Sequence, residues 1–332
     1  EIQMREENIR PQRFEAENQR LYAEDTAMLL LHNREFIEIP CPACESTRYS
    51  PVYDKNGFAL VYCSDCETVF VNPRPSFKHL ADHYKYSKSI KHWNDKLFPA
   101  SENSRREYIF WPRAKHIVEL IHAHMPQAKS IMDVGAGFGT FCEEIKKFSM
   151  FDIITAIEPS HDLAETCRSK GISVMEKPVE EIQIDEVDVI TNFELIEHLH
   201  WPKDFITACR KRLTKNGLFI LSTPNIKGFE TLMLGKLSST ISPPNHLNYF
   251  HAKSLGNLLK RCGFDIIETL TPGKLDAELV RNKILEGEFD VSNRPFLRHV
   301  LIDMWETTGT GFQQFLADNG LSSHLWIVAK KI

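Results

Sequence analysis

Nowhere among the 332 residues does an apolar run approach the roughly 18–20 residues that a membrane-spanning helix requires. The longest N-terminal apolar stretch, Met28-Leu29-Leu30-Leu31, is short and follows a heavily charged segment, so this stretch does not read as a signal peptide. Glu1 rather than Met opens the chain, as expected if its natural start lies further upstream. Positive charge is not in excess. Lys and Arg number 40 against 45 Asp and Glu, a formal net charge of -5. Broad, electrostatically driven binding to nucleic acid needs the opposite balance, although a small local basic patch stays open. Internal repeats and low-complexity tracts are missing too. The eight cysteines do not form a secreted disulfide framework: four make two Cys-x-x-Cys pairs, and Cys142, Cys167, Cys209 and Cys262 stand singly in apparent helices. That pattern reads as a cytoplasmic metal protein.

The length allows one large α/β domain and a smaller module. Residues 1–36 are charged, with Leu21, Met28 and Leu31 at loosely helical spacing, and predict a helical arm that can serve an oligomer interface. Residues 37–75 change to short β-like runs, 59–62 and 69–71, and end at Asn72-Pro73-Arg74-Pro75. Residues 76–125 form an aromatic- and His-rich linker and helical cap over the active site, including a helix from about Ser104 to His124 that Pro126 ends. Residues 126–332 make the main domain, with an insertion at about 277–320. Apolar strands at 130–134, 153–158, 172–175, 186–191, 217–223, 264–267 and 324–330 alternate with helical stretches, which predicts a doubly wound, mostly parallel sheet.

The strongest local signal is Ile131-Met132-Asp133-Val134-Gly135-Ala136-Gly137-Phe138-Gly139, an apolar strand running through a glycine turn into a helix. Glycines let the backbone turn sharply and approach a ligand with no Cβ in the way. The spacing is G-x-G-x-G, whereas a dinucleotide fingerprint is G-x-G-x-x-G. Asp133 beside the turn disfavours a pyrophosphate and suits a ligand carrying an ammonium and a sulfonium. The next strand ends in Glu158, at the distance where a carboxylate grips ribose hydroxyls.

These residues resemble motif I and the following acidic residue of class I S-adenosylmethionine (SAM)-dependent methyltransferases, over roughly residues 104–270. The resemblance implies a Rossmann-like α/β sheet with an antiparallel last strand. It implies SAM as cofactor, with Gly135, Gly137 and Gly139 along its methionine part and Asp133 nearby. Glu158, followed by Pro159, would hold the ribose, Val179 would flank the adenine, and Asn192 and Phe193 would border the methyl-transfer site.

Cys41-Pro-Ala-Cys44 and Cys63-Ser-Asp-Cys66 have the spacing of a four-cysteine structural zinc site, so an N-terminal zinc ribbon is expected. Its charge, with Glu38, Glu45, Asp54, Asp65 and Glu67 against Arg48, Lys55 and Arg74, is not that of an RNA-binding surface. Ribbon, Asn-Pro-Arg-Pro-Ser, the stretch around Tyr84 and Tyr86, the SAM core, and the segments Thr271-Pro-Gly-Lys-Leu-Asp and Asn319-Gly-Leu-Ser-Ser-His together resemble a bacterial zinc-ribbon subgroup. Its members are associated with sugar and surface-polysaccharide methylation. The related sugar C-methyltransferases are usually longer and carry a further C-terminal domain, which is not expected within these 332 residues.

Methyl transfer needs proximity and, for most acceptors, a base. Glu194, Glu197 and His198 share one face if they open a helix, where they can act on a proton or hold a second divalent cation. His246 and Tyr249 lie in a Pro- and Asn-rich loop after the fifth strand, and Tyr84 can close the site from the N-terminal side. The leading expectation is methylation of a small, sugar-like acceptor. An RNA methyltransferase using the ribbon, and a non-catalytic SAM-fold binding subunit, are the alternatives.

Overall fold

The computed structural model describes residues 4–332, so the first three residues of the expected arm lie outside it. Among the described residues eleven strands follow in chain order: β1 (Tyr49–Lys55), β2 (Phe58–Cys63), β3 (Val69–Val71), β4 (Ser130–Val134), β5 (Ile153–Ile157), β6 (Ser173–Met175), β7 (Val187–Phe193), β8 (Leu213–Pro224), β9 (Asn248–Tyr249), β10 (Phe264–Leu270) and β11 (His324–Lys331). They make two sheets. The chain divides into two compact units, one built from Glu1–Glu102, Pro224–Ser254 and Leu270–Leu325, the other from Asn103–Thr223, Leu255–Thr269 and Trp326–Ile332. No helix among the described residues is long and apolar enough to cross a membrane.

The second unit carries the seven-stranded sheet, in the order β10-β11-β8-β7-β4-β5-β6. It is mostly parallel, with β11 antiparallel. Its central strands are mostly apolar, and Ile131, Met132, Val189, Ile190 and Leu218 through Leu221 are all buried. That is the composition of a parallel sheet covered on both faces. Asp188 at the start of β7 fixes the register, because its carboxylate accepts from the Lys129 and Ser130 amides and the Ser130 hydroxyl at 2.8–3.1 Å. The expected helix from Ser104 to His124 is present but uneven: Phe98–Arg105 and Trp111–His124 are α-helical, and a π-helical turn, Arg106–Phe110, lies between them.

In the first unit β1-β2-β3 form an antiparallel meander. A fourth strand, β9, joins through Val69 opposite Tyr249 and Phe70 opposite Asn248. Leu29 from the helix Gln12–Leu30 packs into this sheet's core with Phe58, Leu60, Val71, Leu247 and Tyr249. Arg74 is fully buried and is satisfied by the carbonyls of Val71 and Leu247 and by Asn248 Oδ1. The two C-terminal segments singled out in the sequence converge on Asp276, whose carboxylate accepts from Ser322 Oγ at 2.7 Å and Gln313 Nε2 at 2.9 Å. Gly273 is required there, since a Cβ would stand 1.7 Å from Ser322 Oγ.

Candidate active site

The glycine turn sits at the C-terminal ends of β4 and β5, where ligands of open α/β sheets bind. The amides of Gly135 and Ala136 both donate to the Ile157 carbonyl, which hooks the turn over β5. Gly135, Gly137 and Gly139 have φ of 78°, 55° and 70°, in the left-handed region that favours glycine. They differ in surroundings. A Cβ on Gly135 would meet Leu195 at 2.7 Å, and one on Gly139 would meet Ile172 at 2.6 Å and Cys167 Sγ at 2.9 Å. A Cβ on Gly137 would meet nothing within 4 Å, so the turn opens to free space at its middle glycine.

Polar groups gather at that opening. Glu158 accepts from the amides of Gly137 (2.8 Å) and Ser160 (3.0 Å), and each carboxylate oxygen keeps a further acceptor position. Burial raises the pKa of Glu158, and the two amides oppose that rise. Asp133 is pushed up to about 6 by burial, against the opposing effects of Thr191 Oγ1, which donates to it at 2.7 Å, and of the Arg113 guanidinium. Asn192 donates to the Val134 carbonyl at 2.9 Å, while its Oδ1 is buried without a partner, as is Thr140 Oγ1 at the start of the helix Thr140–Lys146. Buried polar atoms are normally bonded, so these two, with the open glycine and two acidic groups, fit a cationic ligand rich in hydroxyl and amine donors. Phe193 continues the rim, edge-on to Phe141 at 4.9 Å. Val179 is buried and Pro159 exposed.

Arg113 is a member of this constellation that sequence reasoning missed. Its guanidinium lies 4.3 Å from the centre of the Phe193 ring, and burial, opposed by Glu194 and Asp133, lowers its pKa. The sole hint in the sequence is an arginine directly after the aromatic-rich stretch Tyr108-Ile109-Phe110-Trp111-Pro112.

The segment after β7 departs from expectation. Glu194, Glu197 and His198 do not open an α-helix. Glu194 has φ 52° and turns its carboxylate to Ser222 Oγ at 2.7 Å, and only Ile196–His198 follow, as a 3₁₀ turn. The shared helical face therefore does not form. Glu197 is buried and accepts from Thr223 Oγ1 at 2.9 Å, and burial beside the Glu194 charge pushes its carboxyl well up. His198 Nε2 is 4.0 Å from it.

The remaining candidates belong to the first unit. His246 Nδ1 lies 2.8 Å from the Thr240 carbonyl, which selects the Nδ1–H tautomer and makes Nε2 the basic nitrogen. Thr240 Oγ1 in turn donates to the buried carboxyl of Glu230 at 3.3 Å, a residue the sequence reading did not single out. Tyr249 is not placed for chemistry: it is 1% exposed in the core of the four-stranded sheet, and its hydroxyl donates to the His246 carbonyl. Tyr84 is half-buried and spends its hydroxyl on the Asn245 carbonyl at 3.0 Å.

The four paired cysteines do come together. Their sulfurs all lie within 4.8 Å of one another, with Cys41–Cys66 at 3.5 Å and Cys44–Cys63 at 3.4 Å. The two turns repeat one design. Glu45 and Glu67 donate back to the carbonyls of Cys41 and Cys63, and both have φ 64°. A tetrahedral ion with Zn–S bonds of about 2.3 Å needs sulfurs about 3.8 Å apart, so the donor set fits zinc.

Residues 104–269, half of the chain, match the family model described as a methyltransferase domain, and the chain belongs to that family. Among curated proteins it is similar to a probable S-adenosylmethionine-dependent methyltransferase of Mycolicibacterium smegmatis, 26% identical over 163 residues, covering 48% of this chain and 62% of the relative. It is also similar to a ubiquinone biosynthesis O-methyltransferase of Nitrosococcus oceani, 31% identical over 116 residues, 32% of this chain and 49% of the relative. The chain thus spans less than two thirds of the length of these relatives. Among solved structures, a SAM-dependent methyltransferase from Archaeoglobus fulgidus is similar at 17% identity and a TM-score of 0.47, covering 71% of this chain and all of that one.

Proposed function

We propose that the protein transfers the methyl group of SAM to a small polar acceptor, a hydroxyl or carbon of a sugar, nucleotide sugar or surface-polysaccharide precursor. The observation that carries the SAM reading is the open middle glycine flanked by Glu158, Asp133 and the unpartnered Asn192 Oδ1. Bound there, SAM supplies an electrophilic methyl on a sulfonium. Glu158 accepts the ribose hydroxyls, Asp133 offsets positive charge beside the glycine turn, and Asn192 and Phe193 border the reacting end. The sugar-like acceptor rests on the combination of cysteine pairs, Asn-Pro-Arg-Pro and the two C-terminal segments. Similarity to O-methyltransferases of ubiquinone biosynthesis favours oxygen over carbon as the methylated atom.

Calorimetry with SAM and with NAD tests the cofactor. SAM should bind and NAD should not, and Glu158→Ala should weaken SAM by about 1.5–3 kcal/mol, the scale of hydrogen bonds to a charged group. Affinity should also fall as pH drops through about 6, because Asp133 is then protonated and loses its charge. SAM affinity indifferent to Glu158 would defeat the assignment.

His246 is our choice of base. Replacing it with Ala should lower kcat by ~10²–10⁴-fold and leave SAM affinity unchanged. If EDTA instead abolishes turnover and magnesium restores it, Glu194, Glu197 and His198 serve a cation and the base assignment fails. The four cysteines hold one structural zinc in this reading, with all four thiolates committed and no open position for catalysis.

A further inference from the structure

The geometry points to a second metal site, at His32, Glu35 and His79, that takes an exchangeable divalent transition-metal ion. The three residues come from two neighbouring pieces of the first unit. His32 and Glu35 frame the short 3₁₀ turn Asn33–Glu35 that follows the helix Gln12–Leu30, and His79 lies in the first turn of the helix Phe77–Tyr86. One ligand atom from each residue lies within 4.8 Å of the other two.

The contacts are looser than a tight charge-assisted pair and suit ligands placed around one ion. His32 Nδ1 stands 3.4 Å from one oxygen of Glu35, and His79 Nε2 stands 3.6 Å from the other. A charge-assisted bond between imidazole and carboxylate closes to about 2.7–2.9 Å. Ligand atoms on an ion with bonds of about 2.0–2.2 Å are separated by about 3.4 Å along a tetrahedral edge. His79 is also oriented from behind, because its Nδ1 meets Ser76 Oγ at 3.0 Å and its Nε2 is thereby turned toward Glu35. Such an outer partner is the usual companion of a metal-binding histidine.

Two imidazoles and one carboxylate suit zinc, nickel, copper or cobalt, whereas magnesium prefers oxygen ligands. The His32 and His79 rings are stacked, with centroids 4.6 Å apart and planes 23° apart. One ring must turn for both lone pairs to reach one ion. His32, with its side chain 51% exposed, has the room to do so, and His79, at 14%, does not. Water completes the coordination of a site this open, which makes the ion exchangeable. A similar grouping, His161, Glu165 and Glu176, is already engaged: Arg168 pairs with both of its carboxylates.

The test is a nickel titration of the tag-free, zinc-loaded full chain, followed by calorimetry with elemental analysis. One nickel per chain should bind beyond the zinc, and excess magnesium should not displace it. Glu35→Ala and His79→Ala should each weaken nickel at least about tenfold while zinc content stays unchanged. Glu35 is exposed, so its removal does not threaten the fold. His161→Ala should have no effect. Absence of saturable nickel uptake, uptake indifferent to Glu35→Ala and His79→Ala, or uptake lost with His161→Ala overturns the site.

Discussion

Gly139→Val is expected to abolish measurable SAM binding. The backbone there has φ 70°, which costs a β-branched residue roughly 1–2 kcal/mol or more. The added Cβ would also press on Ile172 at 2.6 Å and Cys167 Sγ at 2.9 Å, in a buried cluster with Cys142 and Ala156. Overpacking of that kind adds about 1–3 kcal/mol. The chain escapes the clash by moving the turn, and the turn carries the Gly137 amide that meets Glu158. If the combined cost of about 2–5 kcal/mol falls on the bound turn, affinity drops by about 30-fold to a few thousand-fold, at about 1.4 kcal/mol per tenfold. Gly137→Ala is the contrast, because its Cβ meets no protein atom. It should lower affinity by filling the ligand's space, and its left-handed φ of 55° should lower the melting temperature, but less than the overpacked Gly139→Val does. Wild-type SAM affinity in Gly139→Val would show that the turn does not hold the cofactor.

Cys63→Ser should remove the zinc and with it the order of residues 37–75. Cys63 is fully buried, and its sulfur is 3.4 Å from that of Cys44. Apparent zinc binding in such sites is about 10–16 kcal/mol, and that energy is also folding energy. Elemental analysis should fall from about one zinc per chain to none, and hydrogen exchange should accelerate across Phe58–Val71. Zinc-free protein with unchanged protection in β2 and β3 would mean that the cysteines are dispensable to the fold.

Much of the sheet could be read directly, because buried parallel strands are continuous apolar runs. The runs at 130–134 and 153–158 correspond closely to β4 and β5. β8 begins four residues earlier than its apolar run at 217. Thr214-Lys-Asn-Gly217 reads as a turn, yet it stays in the strand as an irregularity between the pairs Val187–Leu213 and Val189–Leu218. The Cys-x-x-Cys pairs were legible because the constraint is local. What escaped depends on distant partners. Helical spacing at Glu194, Glu197 and His198 was overridden by the left-handed turn at Glu194 and its bond to Ser222. Tyr249 looks like a site residue in the sequence because nothing nearby marks Asn248-Tyr249 as the strand that completes a sheet begun at residue 49. Arg113 acquires meaning only when Phe193, eighty positions later, is packed beneath it.

That completing strand sets an order of events during synthesis. Arg74 is buried against Asn248, 174 positions further along. At about 5–20 residues per second, the ribosome needs on the order of ten seconds or more to deliver the partner. Through that interval a nascent chain carrying all four cysteines exposes the unpaired edge of β3 and an arginine without its final acceptors. Closure of this edge is thus a late step, and the interval before it leaves the growing chain open to strand-to-strand association with its neighbours.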